Sequence, residues 1–317
     1  MQRQPPVEYW KGRLFAASRK VPEMIGSFEY VRTGSIDQGC SLLAEYDGQA
    51  VVLAGGTDLL VNIRSGIQAP QLLVDFKRIN SLAQIRANEQ GGVVIGAAVP
   101  LNALLENETI WQQYRALAEA AQSMGTYQVR NRATLAGNLC NASPAADTAP
   151  TLLVLNAHVT IASPRGGRTL AVRDLFVGVK QSALACDEVV TAVVLPAARL
   201  HLRTRFLKKQ RIRGHDLAIL NIAGAFDTQT GELSIAIGSC AETPILLPSL
   251  NEPVGKSDSL ERLTDRLNEL AQAVIDPITD LRASADYRRA MIPVFLHRLL
   301  ETLLDPSDTS EQRGGSE

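Results

Sequence analysis

The sequence predicts an α+β organisation, on three observations. Up to about residue 196, apolar runs of strand length alternate with segments of helical period. Beyond Pro196 come strand-like runs joined by a hairpin-like turn, and two helices close the chain. At 317 residues the chain is longer than a single core usually supports, so more than one domain is expected.

Residues 1–24 read as an N-terminal extension. They contain Pro5-Pro6 and scattered basic residues with little periodicity, which suits either a disordered arm or one that orders against a partner. Ser35 to Glu45 reads as a short helix with Ser35 as N-cap. Ala50 to Ala54 is a continuous apolar run, the mark of a buried strand, and it ends in Gly55-Gly56. Leu72 to Asp75 and Gly92 to Gly96 are two further strands, and Leu101 to Glu106 and Tyr114 to Ser123 are amphipathic helices. Thr151 to Leu155, Ala157 to Ala162 and Val189 to Leu195 continue the mixture. Residues 201–208 read as a strand leading into a basic loop. Leu217 to Phe226 and Leu233 to Ile237 pair across Gln229-Thr230-Gly231. Helices follow at about Ser257 to Val274 and Ala283 to Leu304, and 306–317 is a polar tail.

Composition removes several functions. A net charge of −1 gives no field to steer the chain onto nucleic acid or a membrane, and 2 Trp, 6 Tyr and 7 Phe make a poor platform for stacking bases. No apolar run approaches the roughly 20 residues that span a bilayer. The N-terminus lacks an uninterrupted apolar segment and a twin arginine, so a cytoplasmic protein is expected, or one exported only as a partner's passenger. Cys40, Cys140, Cys186 and Cys240 are scattered without a close pair, which reads as reduced, mostly buried thiols and not as a metal or cluster site.

Three segments carry chemistry. In the first, an apolar strand delivers the chain to Leu53-Ala54-Gly55-Gly56-Thr57-Asp58-Leu59. Glycines there let successive amides converge on an anion, and a helix beginning just after adds its positive end. The segment has neither the P-loop lysine nor G-x-G-x-x-G spacing, and as a pattern it also suits an ordinary strand-to-helix turn. The second, Arg130 to Asp147, is rich in small and hydrogen-bonding residues. It is either a long structural loop or a stretch that approaches a large ligand closely, with Thr134, Asn138 and Asn141 serving phosphate or ribityl groups and Asp147 accepting from ribose hydroxyls. The third, Phe206 to Asp216, is a basic run that suits a solvated face or a cation beside a flavin. His158, His201 and His297 have no ligand-spaced partner and read as surface or packing residues.

These residues resemble a known family. AGGTDLL at 54–60 and RNRATLAGNLCNASPAADTAP at 130–150 are similar to the two FAD loops of flavin subunits in the xanthine dehydrogenase and carbon monoxide dehydrogenase family of molybdenum hydroxylases. KKQRIRGHDLAILNIA at 208–223 resembles the start of that family's C-terminal domain, and DLRASADYRRAMIPVFLHRLL at 280–300 its closing helix. The resemblance implies a PCMH-like FAD-binding domain at 25–198, made of two α/β subdomains at about 25–80 and 81–198. A smaller α+β C-terminal domain of antiparallel strands plus helices follows at 199–305. It further implies that Leu53 to Leu59 wrap the diphosphate, and that Thr134, Gly137, Asn138 and Asn141 lie on the cofactor's other side. Asp147 and Lys208 match the family's acidic residue and flavin-proximal lysine, and Met124 falls where a side chain covers the ring. Ala136 stands where the family usually has the first glycine of G-G-N, and its methyl is expected to narrow the approach to phosphate.

By the same resemblance the chain is the FAD subunit of a heterotrimer. A molybdopterin-binding large subunit would oxidise the substrate, a small [2Fe-2S] subunit would pass electrons to the FAD, and oxygen, a quinone, a carrier protein or NAD would be the external acceptor. Two other readings stand beside it: a self-contained FAD-dependent oxidoreductase of the same superfamily, and a flavin-free scaffold subunit.

Overall fold

The computed structural model describes residues 27–305 except Arg213, Lys256 and Ser257. The expected N-terminal extension and C-terminal tail lie outside the described residues.

The first unit runs β1 (Glu29–Arg32), α1 (Ile36–Glu45), β2 (Ala50–Leu53), α2 (Leu59–Arg64) and β3 (Leu72–Asp75), with its three parallel strands in the order β1-β3-β2. Ser35 caps α1 as the sequence predicts, its side chain accepting from the Gln38 amide. The centre of the sheet is β3, buried at every position. The apolar run of β2 instead forms an edge strand, and Val51 to Leu53 are only half-buried, because β2 pairs on one side alone. Cys40 and Leu43 of α1 share a core with Leu72, Val74 and Phe76, which extends through Leu82 to Val189 of the second unit.

That second unit begins with β4 (Ile85–Ala87) and β5 (Val93–Gly96). Six short helices follow: α3 (Leu101–Leu105), α4 (Glu108–Gln113), α5 (Arg115–Gln122), α6 (Tyr127–Arg130), α7 (Leu135–Cys140) and α8 (Thr148–Val154). The chain then returns through β6 (His158–Ser163), β7 (Gly166–Ala171), the ribbon of β8 (Phe176–Gly178) and β9 (Gln181–Ser182), and β10 (Val189–Leu195). The five-stranded sheet has the order β4-β5-β10-β6-β7 and its pairs are antiparallel. Residues 130–147 are thus no long loop. Leu135, Ala136 and Leu139 give α7 a buried face, while Gly137, Asn138 and Cys140 are half-buried.

The third unit is an antiparallel sheet of β11 (Leu202–Lys209), β12 (Leu220–Asp227), β13 (Leu233–Gly238) and β14 (Ile245–Leu246), with α9 (Leu260–Val274) and α10 (Ala285–Leu304). Strand alternation sorts its two faces. Leu220, Ile222, Ile235 and Ile237 pack beneath α9 and α10. Phe206, Ala223, Ala225 and Ala236 point the other way and join the core of the second unit. Both faces are therefore covered, and β12 is buried at seven of its eight positions. Arg288 of α10, 1% exposed, binds the carbonyl oxygens of Ile219 and Ser239 and pairs with Asp280, which ties the helix to the strand ends. Among the described residues no helix is long and apolar enough to cross a membrane.

Candidate functional site

The C-terminal end of β2 leads into the first glycine-bearing segment, which lies against the second. After β2 the chain leaves the ladder, and the amides of Ala54, Gly55, Gly56, Thr57 and Asp58 donate to no other described residue. Gly55 is required by contact: a Cβ there would lie 2.0 Å from the carbonyl oxygen of Arg132. The second segment thus occupies the space a side chain would need. Gly56 has φ +76, a left-handed conformation that side chains resist. Asp58 is the N-cap residue of α2, without a capping hydrogen bond, and Leu59 opens that helix.

The second segment is held by caps. Thr134 caps α7 through its hydroxyl to the Gly137 amide at 3.0 Å, and Gly137 faces Ala54 across the gap. Asn138 Oδ1 accepts from the Thr148 hydroxyl at 2.6 Å. Asn141 caps the end of α7, and Ala142 follows with φ +45. Ala136 differs from expectation. It is 4% exposed within the main core, so its methyl points into the protein and does not narrow the gap between the segments.

Lys180 joins this cluster, and sequence reasoning missed it. It sits in the β8–β9 turn with φ +58, and its amide donates to the Ala142 carbonyl at 3.0 Å. Desolvation lowers its pKa from the ordinary lysine value, while the negative charge of Asp58 pulls the other way. Its only sequence signal is one lysine in a turn, with nothing to place it beside residues far away in the chain.

A second cluster lies where the third unit's sheet meets the second unit. Lys208 and Asn221 are direct partners on the β11–β12 ladder, and Asn221 is in turn opposite Gly238 on β13. Both face Asp147. The Lys208 ammonium is 2.7 Å from Asp147 Oδ2, and Asn221 Nδ2 donates to Asp147 Oδ1 at 3.1 Å. The Lys208 side chain is 5% exposed and that of Asp147 8%. Burial pushes the Asp147 carboxyl above its usual range, against the opposing pull of Lys208 and Asn221. Asp147 therefore accepts from one protein donor on each of its carboxylate oxygens. A Cβ at Gly238 would fall 2.1 Å from Asn221 Oδ1, so only glycine leaves room for this amide.

Lys208 also donates to the Ser123 carbonyl at 3.2 Å, which brings the half-buried Met124 beside this pair. Arg130 holds the same turn: its guanidinium donates to the carbonyls of Met124 at 3.0 Å and Gln122 at 3.2 Å, and to Asn102 Oδ1 at 3.2 Å. Further along the basic run, Arg211 pairs with Asp216 at 2.9 Å, so part of that run is neutralised within its own loop. The four cysteines are free; Cys40 and Cys240 are buried and Cys186 is exposed.

The structure thus gathers Leu53 to Leu59, Thr134 to Asn141 and Lys180 at one place, and Met124, Asp147 and Lys208 at a second. Five unpartnered amides with a lysine beside them fit a dianionic diphosphate.

Residues 26–198 match the family described as the FAD binding domain in molybdopterin dehydrogenase, and residues 205–303 match the CO dehydrogenase flavoprotein C-terminal domain. The medium chain of carbon monoxide dehydrogenase from Hydrogenophaga pseudoflava is 30% identical over 277 residues, 86% of this chain and 96% of that one. The FAD-binding subunit of xanthine dehydrogenase from Escherichia coli O157:H7 is 28% identical over 275 residues, covering 86% and 94%. A solved carbon monoxide dehydrogenase from Hydrogenophaga pseudoflava, in a form lacking the Mo-pyranopterin moiety, superposes with a TM-score of 0.82 at 29% identity over 88% of this chain and 98% of that one. The sequence agrees over nearly the whole length of both relatives and the fold over that of the solved structure, and the chain belongs to the FAD-binding family of the molybdopterin dehydrogenases.

Proposed function

We propose that this chain is the FAD-binding, electron-relaying subunit of a molybdenum hydroxylase complex. The observation that carries the reading is the run of unpartnered amides from Ala54 to Asp58, held against the Thr134 to Asn141 segment in a chain of this family. In this reading Leu53 to Leu59 bind the diphosphate through backbone donors, and Lys180 supplies positive charge beside them. Thr134, Gly137, Asn138 and Asn141 line the opposite side. Met124 covers the flavin end, where Lys208 provides a cation held in place by Asp147.

Bound FAD would supply a redox centre that takes up electrons singly and releases them in pairs. The chain's own task is to hold that group, exclude water from one side of it and fix a positive charge near it. Substrate oxidation would belong to a molybdopterin-binding large subunit, electron delivery to a small [2Fe-2S] subunit, and electron removal to an external acceptor. The medium-chain and subunit names of the relatives support this division of labour.

Acid precipitation of the purified chain is expected to release all its flavin as FAD. Anaerobic mixing of the lone chain with the complex's substrate is expected to leave the flavin absorbance near about 450 nm unchanged, whereas a chemical reductant bleaches it. Absence of flavin, or rapid bleaching by substrate without partners, would overturn the proposal.

A further inference from the structure

Lys77 takes no part in the site as described, yet its side chain makes polar contacts at the end of β2. Its ammonium donates to the carbonyl oxygen of Ala54 at 3.0 Å and lies 3.5 Å from that of Leu53. The side chain is held from behind. Asp75 Oδ1 lies 2.9 Å from the ammonium and also accepts from Lys77's own amide at 2.8 Å. The other oxygen, Oδ2, accepts from the Tyr30 hydroxyl at 2.5 Å. Asp75 is 3% exposed, so this carboxylate anchors the lysine from within the fold.

The consequence follows from peptide geometry. In a trans peptide the carbonyl of one residue and the amide of the next point in opposite directions. Fixing the Ala54 carbonyl on Lys77 therefore turns the Gly55 N–H away from Lys77. Fixing the Leu53 carbonyl does the same to the Ala54 N–H. These are the first two of the five amides that have no described partner. Binding an anion with backbone donors is efficient only when those donors already point correctly, since otherwise the ligand must offset the cost of ordering them.

We infer that Lys77 is a positioning residue that presets the amides of the Ala54–Asp58 segment for the diphosphate, acting through the carbonyls of Leu53 and Ala54. This rests on the FAD reading above and assigns the preorganisation to one side chain outside both glycine-bearing segments.

The test compares FAD with ADP, which shares the diphosphate but has no flavin, on the deflavinated full-length chain. Lys77→Met keeps the length of the side chain and removes the ammonium. Its dissociation constants for FAD and for ADP are expected to rise together by about tenfold, the loss of one charge-assisted contact. Lys77→Arg, which keeps donors, is expected to retain most of the affinity for both. If Lys77→Met yields no folded apoprotein, Lys77→Gln is measured with the same ligands and the same expected direction. Unchanged ADP affinity, or a loss confined to FAD, would overturn the inference. Failure of the unmodified chain to take up FAD would instead overturn the proposed function, and this inference with it.

Discussion

The Lys208 ammonium, on the second strand-forming half of the chain, lies 2.7 Å from the Asp147 carboxylate of the segment that precedes α8, and both side chains are shielded from water. Removing one member of such a buried pair strands the other. Lys208→Met is therefore expected to lower the unfolding free energy by about 3–5 kcal/mol, and the Asp147→Leu/Lys208→Met double variant by much less. Urea denaturation of the two singles and the double measures the coupling. Asp147→Ala is also expected to purify with less FAD, because its loss frees Lys208 and the turn bearing Met124.

Gly56→Val places a β-branched residue at φ +76, with Leu53 Cδ1 only 3.1 Å from the new Cβ. The strain is expected to be about 1–3 kcal/mol. Relief requires the backbone to move at the centre of the unpartnered amides. Flavin content at purification should therefore fall further than the melting temperature suggests, and full flavin content with unchanged affinity would remove Gly56 from the site.

Gly238→Ala drives a methyl into the Asn221 side-chain oxygen, 2.1 Å from where its Cβ must stand. A loss of about 1–3 kcal/mol is expected from this overpacking. Adding Asn221→Ala should recover part of it by opening the space. Additive losses in thermal unfolding would show that the two positions do not meet.

Acid stability should depend on Asp280. Burial acts to raise its pKa, but the hydrogen bond from Arg282 and two backbone amides outweigh it and bring the value down to about 2. Its folded value lies below the ordinary 3.8, so its contribution is present above about pH 4 and is lost as pH falls toward 2. The full contribution is about 2 kcal/mol. The difference in unfolding free energy between the wild type and Asp280→Asn should shrink by about 1.5 kcal/mol, most of that amount, between pH 6 and pH 2.5; a constant difference would contradict the assignment.

Thiol reagents should separate the cysteines. Burial pushes the thiols of Cys140 and Cys240 up to about 12, so neither is appreciably ionised at neutral pH, and Cys40 is raised and buried as well. Only Cys186 is exposed. One thiol per folded chain should react quickly with a disulfide reagent at pH 8, and all four after denaturation. Fast labelling of more than one would show that the burial is breached.

Local signals explain what was legible. Ser35 announced α1 because capping chemistry acts over three residues, and Gln229-Thr230-Gly231 announced the β12–β13 hairpin because a tight turn joins neighbours. The apolar run of β3 was equally clear. By contrast β1 is a polar Glu-Tyr-Val-Arg stretch, mostly exposed, and β7 begins with two exposed glycines, so neither carries a strand's apolar signature. The site residues that escaped notice depend on long-range pairing. Asn221 reaches Asp147 only because β12 lies beside β11 in one register, since a shift by one residue would turn it to the other face. Lys77 meets Ala54 because β3 runs alongside β2, and Lys180 meets Ala142 through a turn whose placement no local pattern encodes.

The strand order β4-β5-β10-β6-β7 has a consequence for how the protein is made. The last strand of this sheet to leave the ribosome, Val189–Leu195, is the central one. Until it emerges, β5 and β6 each present an unpaired inner edge, the kind of template on which chains misassociate. The cofactor segments on α7 and before α8 are translated earlier than the strand that completes their support. Nascent chains arrested before Val189 should bind chaperones and resist folding, whereas those arrested well beyond Leu195 should become protease-resistant.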